Sequence, residues 1–430
     1  MKIDFNLNGF RYLSDNTKEI DKDTLFLLTA QNEKYAKDLD IKNKITPKEL
    51  IKLWELESVK VVGVTGTNGK TTTTALIYSL LLDLGKSVAL QGTRGVFVND
   101  EVLEQKHMTT PSILETLFNI KRAKDTYSIE YFVMEVSSHA IAQKRIEDLE
   151  FALKVHTNVT SDHLDYHKTI QEYQRVKSSF FLDDSPKLIN KDEEKNLKYN
   201  RIGAYTYGVE EPATFKVMAY SLNSDGISGV IQYHQEQEVF FSGMMGLFNL
   251  YNLVAGISAV KILTNEPLAK ICEAVENFGG VSGRMEVVSQ NPTVIVDFAH
   301  TPDGIYKVLD SLKEKDLVVV FGAGGDRDKT KRAKMGAVAG RFAKKIYITS
   351  DNPRSEEPED IIRDILAGLK GKEGVQAITN RKEAIKRALD ELKEGEILLI
   401  LGKGDESYQE IKGQKIPFDD REVVRELLGT

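Results

Sequence analysis

The chain has 430 residues, 41% hydrophobic and 29% charged, with 58 Lys and Arg against 65 Asp and Glu for a formal charge of −7. That length predicts about three domains with room for substantial cores. No basic excess points to nucleic acid or an anionic membrane surface as a partner. The single cysteine, Cys272, excludes an internal disulfide and cysteine-built zinc sites. Residues 1–6 (MKIDFN) carry no apolar signal core, and no run approaches the roughly 20 apolar residues that span a bilayer. A cytoplasmic protein without membrane insertion is the expectation.

Residues 1 to about 58 are mixed and polar. Residues 24–28 (TLFLL) read as a strand, and 47–57, opened by Pro47 and carrying Leu50, Ile51, Leu53 and Trp54, as a helix. This part is small for an independent domain. Residues 59–64 (VKVVGV) then form a short apolar strand, followed by a Gly/Thr/Asn loop and a helical pattern through Leu76, Leu80 and Leu84 that stops at Gly85. Residues 87–90 are the next strand, completing a βαβ unit with glycines at its first turn. Further strands are predicted at 131–136 and 152–155, and 202–243 is rich in short β patterns with turns such as Ser224-Asp225-Gly226. After residues 279–283 (GGVSG) the rhythm restarts. Strands at 293–297, 317–321, 345–349, 375–378 and 396–401 alternate with helices at about 303–314, 331–343, 358–370 and 381–393, an open α/β sheet. The pattern divides the chain into 1–58, 59–283 and 284–430.

The loop Thr65-Gly66-Thr67-Asn68-Gly69-Lys70-Thr71-Thr72 sits between strand and helix, where backbone N–H groups cradle phosphate oxygens. Lys70 would reach the β/γ-phosphates and the Thr71 hydroxyl would bind Mg²⁺. The strict pattern needs Gly at position 64, where this chain has Val64, so the match is to a variant. A glycine turn that merely contains a lysine is the bland alternative. The loop alone does not separate kinase, GTPase, motor and ligase.

Glu135 ends an apolar strand beside that loop, followed by Ser137, Ser138 and His139, and suits Mg²⁺. Residues 162–167 (DHLDYH) resemble a zinc-ligand cluster, and His163 reads equally as a cap or core histidine. In the helix predicted at 169–181, Lys177 shares an apolar stripe with Ile170, Tyr173 and Phe180/Phe181. It either packs its stem and exposes its ammonium, or is buried as a neutral amine. A neutral amine reacts with CO₂ to give a carbamate, an anionic metal ligand.

In an open α/β sheet, ligands bind beyond the carboxyl ends of the strands. Four polar loops of the last part fall there: 297–303 (DFAHTPD), 322–329 (GAGGDRDK), 350–354 (SDNPR) and 402–406 (GKGDE). Arg327 and Arg354 offer planar forks for carboxylates, and Glu406 an anion for an ammonium. The set fits a zwitterionic amino acid with an additional carboxylate.

These motifs, with Thr109-Thr110-Pro111, Thr157-Asn158, Asn249 with Asn252, and Gly283-Arg284-Met285-Glu286, resemble the Mur ligases from about residue 59 to the C-terminus. Those are ATP-dependent enzymes that add amino acids to the UDP-N-acetylmuramoyl peptide of bacterial cell wall. The resemblance implies a three-domain α/β protein: a small N-terminal uridine-side domain, a central P-loop ATPase domain and a C-terminal Rossmann-like amino-acid-binding domain. The pair DFAHTPD and DNPR resembles the branch adding the third residue, and Arg354 its meso-diaminopimelate-selecting type.

The resemblance implies roles by position. Gly66, Thr67, Asn68, Gly69, Lys70, Thr71 and Thr72 hold ATP, and Asn252, Arg284, Asp297 and His300 contact the nucleotide. Thr71, Glu135 and His163 bind Mg²⁺ with Lys177, which matches the family's carbamylated lysine. Thr109, Thr110, Ser137, Gln143 and Arg145 match contacts to the UDP-muramoyl dipeptide. Arg327, Asp351, Asn352, Pro353, Arg354, Gly402 and Glu406 match the diaminopimelate site. A monomer acting on small molecules is expected. Asp405 stands where the family usually has His, and the N-terminal part is short. The rival readings are another ligase of the superfamily, such as a folylpolyglutamate synthetase, a ligase using L-lysine, a P-loop phosphotransferase or GTPase, and a non-catalytic binding module.

Overall fold

Apolar strands bounded by turns pair into three main sheets along the chain. The computed structural model describes residues 1–7, 9–37, 41, 43–99, 101–105, 108–223 and 226–429. The first sheet orders Lys2–Leu7, Phe10–Ser14, Thr24–Leu27 and Lys44–Ile45. The helix predicted at 47–57 begins as expected at Pro47, where Thr46 and Glu49 cap each other's backbone N–H groups, but ends at Leu53 and passes into a 3₁₀ turn. Leu13, Leu27, Leu50 and Trp54 pack in one apolar cluster with Ile113, Leu117 and Ile120 of the helix Ile113–Tyr127. The small first part therefore shares its core with the second.

In the second sheet six parallel strands run in the order Ala204–Gly208, Lys187–Asn190, Leu153–His156, Lys60–Thr65, Tyr131–Glu135, Val88–Gly92. Phe215–Asn223 pairs parallel to Ala204–Gly208 and continues the sheet into the antiparallel Gly226–Tyr233 and Glu236–Ser242. Gly95–Val98 and Glu101–Gln105 extend the other edge. Of the turn expected at 224–226, Ser224 and Asp225 lie outside the described residues, and Gly226 opens a strand. The central position of Lys60–Thr65 positions the site. Val64 pairs with Glu135 and Thr65 with His156, so the loop that follows is flanked by Glu135 and Thr157.

The helix Lys70–Asp83 packs on Leu247–Thr264, where Gly256 allows the approach: a Cβ there would lie 2.4 Å from Leu76. Leu247–Thr264 is long and apolar enough to cross a bilayer, with mean hydropathy 1.4, yet Leu250, Leu253, Val254 and Ile257 are fully buried in the central core.

The third sheet orders Glu286–Gln290, Thr293–Asp297, Glu396–Leu401, Asp316–Phe321, Lys345–Ile348 and Val375–Ala377, all parallel except the first. Its five predicted strands and four predicted helices are present, the helices running Pro302–Ser311, Thr330–Phe342, Pro358–Leu366 and Arg381–Asp390 and each ending earlier than expected. Three elements were not predicted: the edge strand Glu286–Gln290, the hairpin Tyr408–Ile411 with Gln414–Pro417, and the helix Asp420–Leu428. That last helix is tied down by a buried ion pair. Arg381 donates through Nε to Asp420 Oδ1 at 2.7 Å, and through Nη2 to Asp420 Oδ2 at 2.8 Å and the Leu401 carbonyl at 3.0 Å, both side chains being 0% exposed. Asp420→Asn keeps the shape but leaves the buried Arg381 only the more distant Asp351, at 3.9 Å, to compensate it, and is expected to cost about 3 kcal/mol. A lowered urea midpoint checks this, and an unchanged midpoint would show that Asp420 carries no such weight.

Candidate active site

The loops after the parallel strands of the second and third sheets face each other across a cleft of about 370 Å³. On one wall the Gly66–Thr72 stretch leads into the helix Lys70–Asp83, with Gly69 at φ 84° as its cap. A Cβ on Gly69 would lie 2.4 Å from Asn252 Oδ1, and one on Gly66 1.8 Å from Thr157 Oγ1, so the glycines permit the fold of the loop. Asn158 Oδ1 accepts from the Asn68 N–H at 3.0 Å, and Thr157 Oγ1 donates to the Asn68 carbonyl at 2.6 Å.

Two amines converge on one carbonyl. Lys70 Nζ donates to the Gly66 oxygen at 2.8 Å and to that of Thr67 at 2.9 Å, and Lys177 Nζ to the same Gly66 oxygen at 2.9 Å. Lys177 is only 1% exposed, so the reading in which it snorkels to solvent is wrong. Burial and the nearby Lys70 push its amine well below the ordinary lysine range. Burial also pushes Lys70 down, with Glu135 opposing.

Glu135 is buried and accepts from the Thr71 hydroxyl at 2.9 Å and the Thr93 N–H at 2.9 Å. Burial pushes His163 down to about 4, overriding Asp162 at 3.4 Å, so at neutral pH the ring is an uncharged nitrogen donor. Thr71, Glu135, His163 and Lys177 all line this cleft. Among the described residues no three of His, Cys, Asp and Glu are gathered to hold a metal. The zinc-like reading of residues 162–167 fails locally as well, since buried His167 shares a hydrogen bond with Ser138 Oγ at 3.0 Å.

The nucleotide residues expected outside the loop fall in an adjoining lobe of about 570 Å³, lined by Asn252, Arg284, Asp297 and His300. Asn252 donates to Asn249 Oδ1 at 3.0 Å. Asp297 spends its carboxylate on the Met285 and Ala299 N–H groups at 2.8 and 2.7 Å, holding the connection between sheets. Burial pushes His300 down to about 4, and its Nδ1 bonds the Phe298 carbonyl at 3.0 Å. The Arg284 guanidinium stacks over the Phe298 ring at 4.1 Å.

Of the residues matched to the UDP-muramoyl dipeptide, Thr109 and Ser137 line the cleft and the other three form a chain beside it. Arg145 donates to Gln143 Oε1 at 2.6 and 3.0 Å and to the Thr110 carbonyl at 2.8 Å, while the Thr110 hydroxyl donates to the Glu135 carbonyl at 2.9 Å.

The third-sheet wall brings Arg327, Asp351, Asn352, Arg354, Gly402 and Glu406 into the same cleft. Pro353 is not among the lining residues. It is buried with its carbonyl against Gly325, where a Cβ would lie 1.9 Å from it. Glu406 Oε2 accepts from Asn352 Nδ2 at 2.8 Å and from the buried Lys403 at 3.0 Å. Asp405, at the position where the family pattern has His, pairs with Arg94 of the second sheet at 3.7 Å.

Sequence reasoning missed several residues. Thr93 fixes Glu135 through a backbone N–H, which carries no side-chain signal. Asp162, from the 162–167 motif, and Lys331, two residues beyond the 322–329 loop, line the cleft, but nothing in their spacing singled them out. Asp303 accepts from Asn68 Nδ2 at 2.8 Å and from the Thr160 hydroxyl at 3.1 Å, joining the two walls, a contact no local pattern reveals.

The model of the Mur ligase middle domain matches residues 64–260, and that of the Mur ligase glutamate ligase domain residues 283–404. A protein of Wolinella succinogenes named UDP-N-acetylmuramoyl-L-alanyl-D-glutamate–2,6-diaminopimelate ligase is 51% identical, over 100% of this chain and 99% of its own. A solved structure of an enzyme of that name superposes with a TM-score of 0.66 at 29% identity, covering 97% of this chain and 94% of the other. Folylpolyglutamate synthase from Mycobacterium tuberculosis also superposes, with a TM-score of 0.66 over 89% and 95% of the two chains, but at 17% identity that likeness shows the fold alone. With both walls of the cleft built from its motifs, the chain belongs to the Mur ligase family of ATP-dependent, amide-bond-forming enzymes.

Proposed function

We propose that the chain adds meso-2,6-diaminopimelate to the D-glutamyl carboxylate of UDP-N-acetylmuramoyl-L-alanyl-D-glutamate, at the expense of ATP, in cytoplasmic assembly of peptidoglycan precursors. The observation that carries this reading is a single cleft in which the phosphate loop, Glu135 and Lys177 face Arg354, Asn352 and Glu406. The name of the 51% identical relative supports the same substrates.

The carboxylate oxygen of the dipeptide attacks the γ-phosphorus of ATP and ADP leaves, giving an acyl phosphate. The neutral amine of diaminopimelate then attacks the acyl carbon, a tetrahedral intermediate expels phosphate, and the amine nitrogen loses its proton. The protein's part is positioning and charge neutralisation. Lys70 exchanges its loop carbonyls for phosphate oxygens. Thr109, Ser137 and the chain of Arg145, Gln143 and Thr110 hold the UDP-linked dipeptide. Arg327, Arg354, Asp351, Asn352 and Glu406 orient the acceptor.

The donors present suit Mg²⁺: a hydroxyl at Thr71, a carboxylate at Glu135 and an uncharged ring at His163. The set is one anion short of a strongly charged site, and Lys177 supplies it as a carbamate. Its neutral amine bonds to the carbon of CO₂ and releases one proton. These residues would hold Mg²⁺, which would supply neutralisation of phosphate charge.

Two measurements check this. ADP release should require both the UDP-muramoyl dipeptide and meso-diaminopimelate, and turnover of nucleotide with neither would sink the ligase reading. Lys177→Ala should lower kcat by about a hundredfold or more, with partial recovery on adding short carboxylates. Full activity of that variant would remove the carbamate from the account.

A further inference from the structure

The hairpin Tyr408–Ile411 with Gln414–Pro417 lies against the loop that carries Arg354. Arg354 holds a left-handed φ of 53°, costly for a side chain of its size. Its backbone conformation is fixed from both sides: its N–H donates to the Glu410 carbonyl at 2.9 Å, and its carbonyl accepts from the Lys412 N–H at 2.7 Å. Two further bonds seat the hairpin. The Glu410 N–H donates to Asn352 Oδ1 and Gln409 Nε2 to the Asp351 carbonyl, each at 2.9 Å.

The guanidinium is gripped as well. Nε donates to Glu410 Oε2 at 3.2 Å, and Nη1 to the Gly325 carbonyl at 2.7 Å. The plane passes over Gly324, where any Cβ would sit 2.9 Å from Nη1. Arg354 lines the cleft and Glu410 does not. The carboxylate therefore stands behind the arginine and occupies one edge of its fork. The end-on edge, Nη1 and Nη2, keeps hydrogens for one more carboxylate.

We propose that Glu410 is a positioning residue for acceptor specificity: by clamping Nε, it presents the end-on edge of Arg354 to the second carboxylate of the acceptor amino acid. This rests on the acceptor reading given above. L-lysine, which lacks that carboxylate, gains nothing from the clamp. Without Glu410 the guanidinium is held by the Gly325 carbonyl alone and can pivot about that bond, and the cost of fixing it falls on acceptor binding.

The test is steady-state ADP release by the full chain with meso-diaminopimelate and, in parallel, L-lysine as acceptor. Glu410→Ala should raise KM for diaminopimelate about tenfold while kcat stays within about twofold. KM values for ATP and L-lysine should not move. Glu410→Gln, whose amide oxygen still accepts from Nε, should show a smaller rise, and it carries the test if the alanine variant does not fold. Glu410→Ala added to Arg354→Ala should raise KM no further, because the clamp has nothing left to hold. An unchanged KM in both Glu410 variants, or losses that multiply in the double variant, would overturn the role. A wild-type enzyme that does not consume meso-diaminopimelate would overturn the acceptor reading and this role together, whereas an active wild type with indifferent variants overturns the role alone.

Discussion

Two buried lysines share the carbonyl of Gly66, and the site is organised around that shared acceptor. Two ammonium groups so close to one oxygen, out of water, cannot both keep full charge cheaply. Lys70 has Glu135 to hold its charge, while Lys177 is disfavoured by burial and by Lys70 itself. The asymmetry sets the two amines in unequal surroundings, Lys70 with a carboxylate opposing its burial and Lys177 with a second amine against it. It depends on glycine at 66, because a Cβ there would drive into Thr157 and move the carbonyl that both amines use. It also depends on the central strand lying between two parallel neighbours, whose ends supply Glu135 and Thr157 to the same loop.

Neither large sheet holds a complete site. Asn68 of the phosphate loop bonds Asp303 across the cleft, and Arg94 meets Asp405 at the other side. The connection between the sheets is drawn tight at Gly283, where φ is 72° and a Cβ would lie 2.1 Å from the Asp405 nitrogen. Asp297 fixes the same connection through the Met285 N–H. The walls are thus related by polar contacts at the cleft and by Met245 and Phe248, which pack against the core of the third sheet.

Regular βα alternation was legible because its apolar strands and helical stripes repeat at periods the sequence shows directly. The loops at the strand ends followed from that alternation, and so did the side chains they carry: Lys70, Glu135, Arg327 and Arg354 all reach the cleft. The hairpin after Ser407 was illegible because Gln414–Pro417 is exposed on every residue and has no buried alternation to betray it. The burial of Lys177 was undecidable from its stripe, since a lysine stem packs on an apolar face whether its head is wet or dry. Only the Gly66 carbonyl, 111 residues away in the chain, decides it. Thr93 and Glu410 act through a backbone N–H and through another side chain, which residue type does not encode.

In a chain of net charge −7, several cations at and beside the cleft are each restrained by a neighbouring acceptor. Lys70 is held by loop carbonyls, Arg145 by Gln143, Arg354 by Glu410 and Gly325, and Lys403 by Glu406 and Asn352. The last pair bears on acceptor choice. Glu406 is the anion matched to an ammonium, yet the buried Lys403 already pairs with it at 3.0 Å. An acceptor recognised through its ammonium alone would meet that paired carboxylate and little else. Discrimination therefore shifts to the carboxylate end, where Arg354 keeps an open edge and can reward only an amino acid that brings a second carboxylate.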